Sequence, residues 1–172
     1  MKRRSLLIGG TGAAAAAAGV GGALWQSRTA ELQPEASFWA LRFERPEGGE
    51  LALAGLRGQP FLLNFWATWC APCVAEMPLL DQFHRANRNR GWQVAGLAVD
   101  SPTPVRSFLK SRPVSFPVGL AGLDGVELAR TLGNGTGALP FSVLFDAKGQ
   151  VRKHKLGALH PEDLSAWAGV LA

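Results

Sequence analysis

Residues 61–73 read "FLLNFWATWCAPC", and two unlike patterns meet inside them. Phe61 to Trp66 is an apolar run bounded by Pro60, with Asn64 as its one polar member, which predicts a strand buried on both faces. Beyond it, Val74, Met77, Leu80 and Phe83 recur at helical spacing, so a helix is expected from Ala71 to about Arg90. The chain's only two cysteines, Cys70 and Cys73, thus stand where a buried strand gives way to a helix. The unpaired N–H groups and the dipole of a helix N-terminus favour an anion there. Cys70 is therefore expected to be a nucleophile with a lowered thiol pKa. Cys73, one turn deeper, is expected to resolve a mixed disulfide formed at Cys70.

Working outward, "WQVAGLAV" (92–99) reads as a second buried strand, followed by a helix with Thr103 as N-cap, Pro104 at its first position and Val105, Phe108 and Leu109 on one face. A short helix is expected from Asp124 to Leu132, stopped by Gly133 ahead of the loop "GNGTGALP" (133–140). "FSVLF" (141–145) and "QVRKHKL" (150–156) flank the turn "DAKG" and read as a hairpin, its second strand charged enough to be an edge. Pro161, Glu162, Asp163, Leu164, Trp167, Ala168 and Leu171 describe a final amphipathic helix. Upstream, turn residues in "RPEGGELALAGLRGQP" (45–60) suggest a small hairpin leading into the core. Pro78 is expected to bend the long helix, because its nitrogen has no hydrogen to give the carbonyl of Val74. His84, Arg85, Arg88 and Arg90 gather at that helix's C-terminal end, where cations suit the dipole. The fold class is α/β, a central mixed sheet with helices on both faces, of a size for one core.

The formal charge of +5 does not make this a nucleic-acid binder. Lys2, Arg3, Arg4 and Arg28 supply four of the 18 basic residues, leaving 14 against all 13 acidic ones in the body. Ser5 to Ser27 carries no charge and follows "MKRR", so residues 1–30 read as a secretory signal or a single membrane anchor, and residues 31–172 as the folded domain. Arg3-Arg4 also fits the start of a twin-arginine signal. Either route exports the body, and an uncleaved segment would tie it to the membrane.

The cysteine pair has bland readings as well. A structural disulfide closing so small a loop would add only about 2 kcal/mol and would join residues already adjacent on one turn. Zinc needs four ligands, and no second cysteine pair exists, while His84, His154 and His160 are scattered. Covalent haem attachment needs His after Cys73, where Val74 stands. No metal site and no cofactor beyond a redox-active Cys70–Cys73 disulfide are expected. Trp69 reads as a docking surface and Pro72 as a rigid link between the thiols, against ordinary packing and helix initiation.

The order "LRGQPFLLNFWATWCAPCVAEMP" (56–78) closely resembles the thioredoxin superfamily, and within it the exported TlpA/ResA-type thiol-disulfide oxidoreductases. The likeness runs over roughly residues 37–171 and includes "VDSPTPVRSFLKSR" and "GALPFSVLFDAKG". It implies a thioredoxin-like fold with an N-terminal hairpin and a strand-helix insertion. It also implies a cis bond between Leu139 and Pro140, whose backbone would pair with a substrate strand beside the cysteines. Phe141-Ser142 stands where the family often has two threonines. Many thioredoxins carry a buried aspartate six residues before the first cysteine, and here Asn64 cannot take up a proton. Glu76, three residues beyond Cys73 and on the same helical face, is the expected acceptor, as in the related exported proteins. The bland alternative is a solvated glutamate near a helix start.

The expected function is an exported, periplasmic thiol-disulfide oxidoreductase running as a protein-disulfide reductase and acting as a monomer. The resemblance implies clients such as apocytochrome c thiols or copper-site thiols, and a membrane-embedded thiol donor as electron source. An oxidase of the same fold is the nearest alternative, since fold alone does not set the direction of electron flow. A copper(I) chaperone using the same thiolates is a second, although such proteins usually space their cysteines by three residues and add a histidine. A thiol peroxidase would need a Pro-x-x-x-Thr-x-x-Cys arrangement, absent at both cysteines.

Overall fold

Every residue of Phe61–Trp66 is buried, and the reason is its place at the centre of the sheet. The computed structural model of the chain describes residues 33–170. The segment before residue 33, on which the signal or anchor reading falls, and Leu171 lie outside them. Among the described residues no helix is long and apolar enough to cross a membrane.

The elements in chain order are helix α1 (Ala36–Ala40), strands β1 (Arg42–Glu44), β2 (Glu50–Ala52) and β3 (Phe61–Trp66), helix α2 (Ala71–Asn87), β4 (Gln93–Ala98), α3 (Pro102–Ser111), β5 (Val118–Leu120), α4 (Asp124–Thr131), β6 (Phe141–Phe145), β7 (Val151–Leu156) and α5 (Pro161–Val170). Five strands form one sheet in the order β5-β4-β3-β6-β7, while β1 and β2 pair as a separate antiparallel hairpin. β3 runs parallel to β4 and antiparallel to β6, so the sheet is mixed, and the charged β7 is indeed an edge.

Alternation along β3 divides its side chains between two cores. Phe61, Leu63 and Phe65 pack with Phe38, Leu53, Ala129 and Leu132, beneath α1 and α4. Leu62 and Trp66 pack with Cys73, Met77, Leu80, Val105, Leu164 and Trp167, beneath α2, α3 and α5. Asn64 has the parity of this second set, so its amide points to the α2 side. The hairpin rests close on β5: a Cβ at Gly119 would lie 2.7 Å from that of Phe43, which is why that position holds no side chain.

Two boundaries differ from expectation. Helix α3 begins at Pro102 with Ser101 as N-cap, two residues before the predicted start. Pro102 suits the first helical position, and Pro104 is tolerated two residues on because first-turn N–H groups have no intrahelical partner to lose. Helix α1 was not legible in its five residues; Phe38, buried against the stacked ring of Phe145, anchors it together with Trp39, whose ring meets Phe61 and Phe145 edge-on. Helix α2 continues through Pro78 to Asn87 and is extended by a 3-10 turn over Arg88–Arg90.

Asp81 ties α2 to the segment entering β5. Its Oδ1 accepts hydrogen bonds from the N–H and the hydroxyl of Ser115, both at 2.6 Å, and its Oδ2 pairs with Arg85 at 2.9 Å. Burial pushes this carboxyl up, but the two Ser115 hydrogen bonds and Arg85 outweigh it and hold the pKa below the ordinary 3.8. Asp81→Asn is expected to cost about 2 kcal/mol at neutral pH in denaturant unfolding. A group with a lowered folded pKa stabilises above its unfolded pKa and loses that contribution as pH falls through the folded one. The deficit should therefore begin to shrink near 3.8 and vanish only once pH falls below the lowered folded pKa, where wild type and variant converge. A deficit independent of pH would mean packing rather than charge.

Candidate active site

The strand-to-helix junction is held from the neighbouring strand. Past the end of β4, Val99 donates its N–H to the Trp66 carbonyl at 2.8 Å, and Asp100 Oδ2 accepts from the N–H and hydroxyl of Thr68 at 2.9 and 2.5 Å. Those bonds fix the loop that delivers Trp69 and Cys70. Cys70 is the N-cap of α2, and its Sγ accepts the Cys73 N–H at 3.3 Å, so a first-turn donor is aimed at the sulfur as the sequence pattern predicted. Cys70 and Cys73 are joined by a disulfide, with their Cα atoms 5.3 Å apart. Cys70 keeps 6% of its surface exposed and Cys73 none, which orders the two thiols by access.

Around them, Trp69 is 69% exposed, an extent unusual for so large an apolar side chain. Pro72 is exposed in the first turn of α2. The Leu139–Pro140 bond is cis, and Leu139 packs against the cluster that contains both cysteines. Trp69, Cys70, Pro72 and Cys73 thus share the strand-to-helix junction, and Leu139, which precedes the cis bond to Pro140, packs on the same apolar layer as the cysteines.

Glu76 lies one helical turn beyond Cys73 and is only 4% exposed, so it is not a solvated helix-start glutamate. Its Oε1 accepts from the Asn64 amide at 2.8 Å and its Oε2 from the Leu159 N–H at 2.6 Å. The same Asn64 nitrogen donates to Ser142 Oγ at 2.9 Å. Burial drives the Glu76 pKa up, and the Leu159 N–H, the Asn64 amide, Lys155 and His160 pull it back without cancelling the rise above 4.5. A buried carboxyl whose pKa is raised in this way is a candidate for proton exchange.

Sequence reasoning did not find Asp100, Thr68, Ser142 or the Leu159 N–H as parts of the site. Asp100 left one faint signal, an acid just past a buried strand. Ser142 was visible only as a departure from paired threonines, and the Leu159 backbone left none.

A thioredoxin-like sheet with a Cys-Ala-Pro-Cys disulfide capping its long helix defines a thiol-disulfide oxidoreductase. Comparison with known proteins agrees. Residues 33–171 match the Redoxin family, and the chain belongs to it. The thiol-disulfide oxidoreductase ResA of a Bacillus cereus strain is 32% identical over 122 residues, covering 70% of this chain and 68% of that protein. A thioredoxin family thiol:disulfide interchange protein from Chlorobium tepidum TLS superimposes with a TM-score of 0.68 at 26% identity, over 76% of this chain and 91% of its own. A secreted Mycobacterium tuberculosis disulfide oxidoreductase homologous to E. coli DsbE gives 0.64 at 25% identity, over 80% and 100%.

The difference in access makes a direct prediction. After reduction, iodoacetamide should alkylate Cys70 and leave Cys73 untouched until the protein is unfolded, as read by peptide mass mapping. Equal labelling of both thiols in the native protein would remove the assignment of Cys70 as attacking thiol.

Proposed function

We propose that this protein is an exported protein-disulfide reductase whose Cys70 attacks client disulfides and whose Cys73 resolves them with Glu76 as proton acceptor. The observation that carries the reading is the buried carboxyl of Glu76, held at both oxygens and placed one turn beyond Cys73.

In the first step the Cys70 thiolate attacks one sulfur of a client disulfide, forming a mixed disulfide and releasing the other client sulfur as a thiolate. Glu76 takes the Cys73 proton. The Cys73 thiolate then attacks Cys70 Sγ, closing the intramolecular disulfide and releasing the second client thiolate. Two electrons have passed to the client, and a dithiol donor must return them. A membrane-embedded thiol donor meets that need for a protein exported by its N-terminal segment, and export accords with the secreted character of the M. tuberculosis relative. Clients of the kind implied are exported proteins whose cysteines must be reduced before haem or copper is attached. They dock on Trp69, Pro72 and the backbone at Leu139 and Pro140, and the protein needs no cofactor beyond its own disulfide.

The reducing direction is supported by the residues between the thiols. Strong oxidases owe their potential to a stabilised reduced form. Ala71 and Pro72 bring no charge or side-chain donor to a Cys70 thiolate, which leaves the helix N-terminus as what that turn offers it. The potential of the Cys70–Cys73 couple, measured against glutathione, is expected nearer the roughly −270 mV of thioredoxin than the roughly −120 mV of a strong oxidase. A value at the oxidase end would reverse the proposed direction.

Glu76→Gln tests the base. In the wild type, release of glutathione from a mixed disulfide at Cys70 should rise with pH through the raised Glu76 pKa. In the variant it should rise only through the thiol range near 8.5, and be slower at neutral pH by on the order of 10²-fold. An unchanged profile would take Glu76 out of the mechanism.

A further inference from the structure

The buried amide of Asn64 has a definite asymmetry. Its nitrogen faces two acceptors, Glu76 Oε1 at 2.8 Å and Ser142 Oγ at 2.9 Å, which use both of its hydrogens. Its oxygen, equally buried, has no hydrogen-bond partner among the described residues. Turning the amide over would set its oxygen against an ionised Glu76 carboxylate, so an ionised Glu76 selects the orientation observed, while the Ser142 hydroxyl can donate or accept and pairs with either end. Ser142 stands directly opposite Asn64 in the β3–β6 register, and both are fully buried. The amide is therefore anchored by strand pairing.

Resting on the reading of Glu76 as the acceptor of the Cys73 proton, we propose that Asn64, anchored by Ser142, is the positioning residue that holds Glu76 as a carboxylate ready to receive that proton. The groups facing Glu76 leave this task to the amide. On α2 the titratable neighbour is Cys73 itself. From β7 comes Lys155, which is engaged with Asp163 of α5 at 2.5 Å, and from the segment before α5 come His160 and the Leu159 N–H. Asn64 is the side chain that donates to the carboxylate directly. Being an amide, it stabilises the anion without competing for the proton. An acid at this position would share one proton with Glu76 and split the titration into two coupled steps.

The test is made on the reduced full chain by following the Glu76 side-chain carboxyl with carbon-13 NMR and, in parallel, the pH profile of glutathione release from the Cys70 mixed disulfide. Asn64→Leu removes a hydrogen bond that is stronger to the anion than to the acid. It should raise the Glu76 midpoint by about one pH unit and carry the release profile with it. Ser142→Ala, a small change that should not threaten folding, frees the amide and should move both readings the same way by less. Asn64→Asp should give two coupled steps in place of one. A Glu76 midpoint unmoved in both Asn64→Leu and Ser142→Ala overturns the proposal, and if Asn64→Leu fails to fold, the unmoved midpoint in Ser142→Ala with a single step in Asn64→Asp does so. Failure of the underlying reading looks different: Glu76→Gln would leave the release profile unchanged while the Asn64 variants still moved the carboxyl.

Discussion

The two N–H donors of a primary amide buried in the central strand of a sheet need acceptors, and the active site is organised around how Asn64 finds them. Leaving its donors unpaired would cost about 1–3 kcal/mol. The partners available at that depth are on other elements: Ser142 on the adjacent strand and Glu76 on the helix that follows the cysteines. Meeting the demand therefore locks β3, β6 and α2 to one another at a single point, one helical turn beyond Cys73 along α2. The Leu159 N–H, from the loop leading into α5, closes the other side of the same carboxylate.

The apolar setting gives that polar knot its chemical value. Trp66, Met77, Leu80, Leu164 and Trp167 are packed in the same layer as Cys73, and Glu76, on the same helix, is itself only 4% exposed. Desolvation raises its pKa while the donors restrain the rise. A glutamate at the same helical position with its side chain in water would titrate where carboxylates ordinarily do, and would be a poor acceptor for a thiol proton at neutral pH. The front of the site is built differently. There the hydrogen bonds that Thr68 donates to Asp100 fix the loop, while Trp69 is exposed and Cys70 keeps an edge of its surface accessible.

How far the sequence disclosed this depends on the range of the interaction concerned. Phe61–Trp66 could be read as a buried strand because burial on both faces leaves an uninterrupted apolar run, and the ends of β3 fall where Pro60 and the cysteine motif placed them. Glu76 was accessible through helical spacing from Cys73, a local relation. Its burial was not, because the Leu159 donor lies 83 residues along the chain and is a backbone group, which any residue type would supply. The α3 start was misplaced because Pro102 and Pro104 are both compatible with a first turn, so the proline signal alone does not choose between them. Ser142 acquires its role only through the strand register, which no periodicity in β6 encodes.

The separation of amide and acid between strand and helix has a further physical logic. Position 64 is enclosed by the strands on either side and by the helix layer, and an acid there would have to ionise with few donors at hand. Position 76 faces the loop before α5, where a backbone N–H and the fields of Lys155 and His160 reach it. Lys155 is also paired with Asp163, so its charge moderates Glu76 without neutralising it. The balance leaves one carboxyl that is neither fixed as an anion by a dedicated cation nor forced to stay protonated by unrelieved burial. On the proposed reading of Glu76, a proton acceptor that must also release its proton in the reverse exchange needs that intermediate condition, and one amide, one backbone N–H and a shared lysine would supply it.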